Sequence, residues 1–245
     1  MSRGGGSSTA DMTRGTLAAI LLAGGRASRM GGVDKPGLSI DGVSLRDRAI
    51  TAVRAVGADP ITVVGPPPAQ PGSAQPGSAR PGPAQAAPAQ PDSAQAVRWL
   101  REDPPFTGPA AAIVAALATS QSHGATDTDS DTDSDPDPEW TLVLACDLPR
   151  VDVAVQQLMA DILLLPSDTD GACLADASSR PQWLTGLYRT RALRRAAASL
   201  PDAGRDRSMR ALLADLAIAA LPDRAGGADD IDTWEDYERF TKETP

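Results

Sequence analysis

Two short stretches of this chain put phosphate-binding residue types at useful spacing. The first is Leu21-Leu22-Ala23-Gly24-Gly25-Arg26-Ala27-Ser28-Arg29-Met30-Gly31-Gly32-Val33-Asp34-Lys35. Glycines let the backbone approach a ligand closely and turn its N–H groups toward phosphate oxygens. Arg29 and Lys35 add the positive charge that a triphosphate attracts. An apolar run, Leu17 to Ala23, feeds straight into this stretch, as a buried strand feeds a loop wrapped round a nucleoside triphosphate. The loop is neither of the two commonest phosphate loops. Counting on from Gly25, Met30 stands where a P-loop needs its second glycine, and Gly24-Gly25-Arg26 breaks the dinucleotide pattern at its third position. The second stretch is Cys146-Asp147-Leu148-Pro149, which directly follows the apolar run Trp140–Ala145. Ligands of open α/β sheets gather at the carboxyl ends of strands, where Asp147 is expected to project. A carboxylate there suits Mg²⁺, which takes one or two carboxylates and completes its shell with phosphate oxygens. An aspartate shortly before proline also simply shapes a turn.

Two further stretches are read more openly. Asp229-Asp230-Ile231-Asp232-Thr233-Trp234-Glu235-Asp236 carries a Thr233/Asp236 pair at capping-box spacing, so part of it starts a helix. Glu102-Asp103-Pro104-Pro105-Phe106-Thr107-Gly108-Pro109 ends in a proline suited to a helix's first turn, and Asp103 before proline is ordinary turn chemistry.

Taken together, these stretches resemble the molybdenum cofactor guanylyltransferase (MobA-like) family of nucleotidyltransferases. Its opening motif reads roughly L-A-G-G-x-x-x-R-M-G-x-D-K and is nearly complete here, with one extra glycine after Met30-Gly31. The resemblance implies a nucleotide site built from Leu22, Ala23, Gly24, Gly25, Arg29 and Lys35, with Asp103 on the ribose or base. It implies catalytic roles for Lys35, Arg29 and Asp147. It further implies Mg²⁺ held by Asp147 and Asp232, with Asp230 as the other candidate for the second ligand. The implied reaction moves GMP from GTP to the phosphate of molybdopterin and releases pyrophosphate. Ala23-Gly24-Gly25 and Asp34-Lys35 resemble the guanylyl-transferring members more than the cytidylyl-transferring ones. The alternatives are a CTP- or other NTP-dependent transferase acting on a different phosphorylated acceptor, and a non-catalytic nucleotide-binding regulator. Two departures stand out: Gly65-Pro66-Pro67-Pro68 where the family often carries an asparagine-containing stretch, and Trp234 where a proline is usual. Gln182, Trp183, Arg207 and Ser208 fall in the half where the acceptor is expected, and Arg207 is a candidate for holding an anionic acceptor.

Positioning these residues needs strands alternating with helices. The pattern predicts strands at Leu17–Leu22, Ile61–Val64, Trp140–Ala145, Gly171–Ala175 and Gln182–Tyr188, with ordered chain resuming at Val97–Leu100. It predicts helices at Asp47–Val56, Pro109–Ala118, Val151–Leu165, Thr190–Leu200 and Ser208–Leu216, and a last one from about Thr233. The near-continuous apolar run at Trp140–Ala145 suits the middle of a parallel sheet covered on both faces. The expected fold is α/β, a Rossmann-like three-layer sandwich round a mostly parallel central sheet. Residues 1–15 read as a disordered N-terminus. Residues 16–245 read as one domain, interrupted by low-complexity linkers at 66–96 and 120–139.

Bulk composition narrows the function classes. The 245 residues carry a formal net charge of −9, but seven acidic residues between Asp127 and Glu139 account for most of it, leaving −2 for the rest. No basic stripe with interleaved aromatics suggests nucleic acid. The single histidine, His123, sits in a polar insert, which argues against histidine metal sites and Ser-His triads. Two cysteines, Cys146 and Cys173, both in apolar surroundings, suit reduced buried thiols. No apolar stretch is long enough to span a membrane. The short run before the glycine loop is expected to be the first core strand of a cytoplasmic protein rather than a leader.

Overall fold

The computed structural model describes residues 17–24, 30–67, 96–102, 104–105, 107–121 and 137–243. Its centre is a seven-stranded sheet of β1 (Leu17–Leu22), β4 (Ile61–Val64), β5 (Val97–Leu100), β6 (Trp140–Ala145), β7 (Gly171–Ala175), β8 (Pro181–Arg189) and β9 (Ile218–Pro222), in the order β5-β4-β1-β6-β8-β7-β9. Six strands run one way, and β8 alone is antiparallel to both neighbours. The mostly parallel three-layer α/β architecture expected from the sequence is therefore present. β6 lies in the middle, with β1 parallel on one side and the reversed β8 on the other.

Alternation along β1 explains why it is apolar throughout. Leu17, Ala19 and Leu21 face a core shared with helices α1 (Leu45–Ala55) and α3 (Val151–Asp161). Ile20 and Leu22 face a second core beneath α2 (Pro109–Gln121), α4 (Thr190–Ser199) and α5 (Met209–Leu212). A strand buried on both faces reads as a near-continuous apolar run. A third, smaller core holds Met30, Ile40, Leu45, Ile231 and Phe240. It fastens the far half of the glycine loop to the last helix, α6 (Trp234–Glu243).

Several boundaries differ from the sequence expectation for local reasons. α1 starts two residues earlier because Ser44 caps it, its hydroxyl accepting from the Asp47 N–H at 3.1 Å. α3 stops at Asp161, and a 3₁₀ turn at Ile162–Leu164 leaves Leu163 and Leu164 exposed. α5 spans four residues, capped by Ser208, because the chain must turn by Leu216 to enter β9. The small hairpin of β2 (Ser39–Ile40) and β3 (Val43–Ser44) turns at Asp41-Gly42, both at positive φ, the conformation an Asp-Gly turn favours. Most of the two low-complexity tracts lies outside the described residues. Of the second, Ser120 and Gln121 extend α2, and at its end Asp137 and Glu139 pair with Arg194 and Arg189. No helix among the described residues is long and apolar enough to cross a membrane.

Candidate active site

The ends of β1 and β6 lie side by side. Ladder bonds extend past both strands, with Ala23 N–H donating to Val64 O at 2.8 Å and Cys146 N–H to Leu22 O at 3.0 Å. Leu22 and Ala23 are buried and Gly24 is exposed, so the chain leaves the core where a ligand could meet it. Gly65, at the end of β4, lies so close that a Cβ would sit 2.7 Å from Ala23 O. Only glycine allows these two strand ends to approach in this way. Gly25, Arg29 and Asp103 lie outside the described residues.

The chain returns at the buried Met30, passes Gly31 and Gly32, and enters a 3₁₀ turn at Lys35–Gly37 with Pro36 in its first positions. Gly37 N–H donates to Asp34 O at 3.0 Å. From this turn Lys35, 13% exposed, reaches across the molecule. Its Nζ donates to Asp232 Oδ1 at 2.7 Å, joining residues 197 apart in sequence.

The acidic segment is held by the residue between its two aspartates. Ile231 is fully buried in the third core, and its N–H donates to Asp147 O at 3.1 Å. Asp230 and Asp232 therefore flank an anchor tied directly to the loop after β6. Beyond them a reciprocal cap starts α6. Asp236 N–H donates to Thr233 Oγ1 at 3.1 Å, and Thr233 N–H donates back to the Asp236 carboxylate at 2.9 Å. The segment is thus both a helix start and a support for carboxylates.

These groups lie within electrostatic reach of one another. Removal from solvent, together with Asp230's charge and against the opposing pull of Lys35, brings the Asp147 carboxyl up to about 6. Asp230 is also raised, by partial desolvation and by the charge of Asp232. Asp230 thus perturbs Asp147 more than Asp232 does, whereas Asp232 is the one paired with Lys35. A partly buried carboxylate crowded by like charges, with oxygen donors only, fits a hard divalent cation. No group of three or more potential ligands converges among the described residues. Mg²⁺ needs no such group, because substrate phosphates and water complete its shell.

The acceptor-side candidates are spread more widely. Asp206 N–H donates to Thr107 O at 2.7 Å, and a Cβ on Gly108 would lie 3.3 Å from Arg207 O, so Arg207 borders the start of α2. Thr107 N–H donates to Glu102 Oε2 at 3.3 Å. Gln182 is held by Asp176, with Nε2 to Oδ2 at 2.9 Å. Trp183 lines an open groove of about 640 Å³ on the α5 side of the sheet with Arg180 and Arg210. Ser208 is occupied as the α5 cap.

Two contributors escape a motif reading. Ile231 reads as an incidental residue between aspartates, yet an apolar side chain there is the signal of an inward anchor. Arg46 reads as surface charge, yet its side chain is 9% exposed. It shares a helical face with the buried Ile50 and Val53, four and seven residues on.

The MobA-like NTP transferase domain profile matches residues 19–220. A probable molybdenum cofactor guanylyltransferase of Synechococcus elongatus is 32% identical over 210 residues, covering 84% of this chain and 88% of that protein. Among solved structures, a nucleotidyl transferase from Methanothermobacter superposes with a TM-score of 0.56 at 18% identity, covering 93% of this chain and 96% of the other. A molybdopterin-guanine dinucleotide biosynthesis protein A from Archaeoglobus fulgidus gives 0.55 at 16% identity, with 92% and 97% covered. These two share the fold. With the profile spanning most of the chain, the protein belongs to the MobA-like NTP transferase family and is a nucleotidyltransferase.

Proposed function

We propose that the protein transfers GMP from GTP to the phosphate of molybdopterin and releases pyrophosphate. The observation that carries this reading is the meeting of Lys35 with Asp232, within electrostatic reach of Asp147, at the carboxyl ends of β1 and β6. The guanylyltransferase name of the Synechococcus relative and the Ala23-Gly24-Gly25 sequence support guanine as the base.

In this reaction an acceptor phosphate oxygen bonds to the α-phosphorus of GTP. The bond from that phosphorus to the bridging oxygen breaks, and pyrophosphate leaves with the electron pair. The acceptor phosphate is already ionised near neutral pH, so no strong base is required, and a chain with one histidine loses nothing by it. The main obstacle is bringing two anions together, so catalysis consists of positioning and charge neutralisation. The backbone of Leu22, Ala23, Gly24 and Gly25 cradles the nucleotide, with Asp103 at its ribose or base. Lys35 and Arg29 stabilise charge on the transferring group and on the departing pyrophosphate. Asp147 and one of Asp232 and Asp230 would hold Mg²⁺, which would supply charge neutralisation at the phosphates. Arg207, beside the start of α2, meets the anionic acceptor. Both cysteines are buried free thiols, which suits a cytoplasmic enzyme.

A thermal-shift screen of the four nucleoside triphosphates with Mg²⁺ tests the nucleotide assignment. At a hundred times its Kd, GTP should stabilise the protein by about 2.7 kcal/mol. For a chain of 245 residues that corresponds to roughly 5–10 °C in Tm. A larger shift with CTP would move the assignment to a cytidylyltransferase.

A further inference from the structure

Arg46 occupies the first turn of α1 and belongs to none of the motifs above. Although its side chain is 9% exposed, its Nε has no hydrogen-bond partner among the described residues. The nearest carboxylate is Asp34, 3.9 Å from Nη1. The guanidinium lies 5.7 Å from the ring centre of Trp99, near the end of β5.

Stability alone does not call for this cation. Desolvating an ion costs several kcal/mol, and exchanging a buried ion for a well-packed apolar side chain is often neutral or stabilising. Arg46 faces a part of the site that needs to be held. The Asp34 carboxylate folds back over the Lys35 turn, so that a Cβ on Gly37 would lie 2.6 Å from Asp34 Oδ2. The Asp34 carbonyl also closes that turn by accepting from Gly37 N–H. Asp34 is thus bonded to the turn through its backbone, its carboxylate lies over Gly37 without a capping hydrogen bond, and Arg46 is the cation beside it.

We propose that Arg46 is a positioning residue for nucleotidyl transfer: its buried guanidinium restrains the Asp34 carboxylate, and through it the Lys35–Gly37 turn, so that the Lys35 ammonium faces the site's carboxylates. The inference rests on the reading of Lys35 as the cation that meets the triphosphate. Arg46 touches no substrate in this account. Its effect on rate passes through Asp34.

The test compares Arg46→Met, Arg46→Lys, Asp34→Asn, the Arg46→Met/Asp34→Asn double variant and Lys35→Met in the full-length protein. The measurements are pyrophosphate release with Mg-GTP and molybdopterin, and urea denaturation. Arg46→Met should unfold at or above the wild-type midpoint yet lose about 10- to 100-fold in kcat, the scale of a catalytic group displaced by about 1 Å, with KM changing less. Arg46→Lys should recover part of that rate. The double variant should be no slower than the slower single one, because two members of one restraint do not add. Wild-type turnover by Arg46→Met beside an impaired Lys35→Met would overturn the inference alone. Multiplying losses in the double variant would do the same. Wild-type turnover by Lys35→Met would overturn the reading beneath it. Should Arg46→Met fail to fold, Arg46→Lys against Asp34→Asn completes the same cycle.

Discussion

Asp147→Asn is expected to make the protein more stable and less active at once. The folded carboxyl titrates at about 6, against 3.8 for an ordinary aspartate, because it is desolvated and faces Asp230, with Lys35 compensating only in part. The sign follows from linkage. Between pH 3.8 and 6 the folded protein keeps a proton that the unfolded chain has released, so stability falls as pH rises through this window and levels off above it. A shift of this size corresponds to about 3 kcal/mol at neutral pH. Asparagine has nearly the same shape and no charge, so the variant should lack this component. Urea denaturation of both proteins from pH 4 to 7.5, without divalent metal, gives the difference curve. The variant's advantage should grow across the window to at most about 3 kcal/mol. A flat difference curve, or a variant less stable than wild type at pH 7, would show that Asp147 is not held in a desolvated acidic cluster. Adding Mg²⁺ should stabilise the wild type and leave Asp147→Asn nearly unmoved, since only the former offers the carboxylate.

Other perturbations probe the parts separately. Lys35→Met should lower kcat by about 100-fold or more, the cost of one preorganised electrostatic donor, measured as pyrophosphate release. Ile231→Ala should cost about 2–4 kcal/mol in urea denaturation, as a fully buried side chain leaves a cavity. It should also reduce turnover, because Asp230 and Asp232 lose their anchor. Gly65→Ala should destabilise by about 1–3 kcal/mol, because its Cβ meets Ala23 O at 2.7 Å and must push the β1 and β4 ends apart. Its Kd for Mg-GTP, measured by calorimetry, should rise accordingly.

The site was legible where chemistry and local sequence coincide. Lys35, Asp147 and Asp232 each stand at the end of a strand, in a turn or before a helix, and the alternation of strands and helices places those ends together. β1 and β6 announce themselves because burial on both faces makes them apolar almost throughout, with Thr141 of β6 admitted only by its hydrogen bond to Thr190. β9 does not, because Ile218-Ala219-Ala220-Leu221-Pro222 is only partly covered and has no alternation to separate it from a loop. The β2–β3 hairpin carried its Asp41-Gly42 turn signal, but two-residue strands give periodicity nothing to register. Arg46 and Ile231 were hidden for a different reason. Their importance comes from partners distant in sequence or on another element, and arginine at a helix start reads as solvated until the helix face is known.

Transfer of label from α-phosphate-labelled GTP to molybdopterin in the presence of Mg²⁺, with pyrophosphate counted alongside, decides whether this protein is a guanylyltransferase. The wild type should yield one labelled acceptor per pyrophosphate released, and Asp147→Asn and Lys35→Met should each yield far less. GTP binding without label transfer would contradict the account and leave a nucleotide-binding regulator in its place.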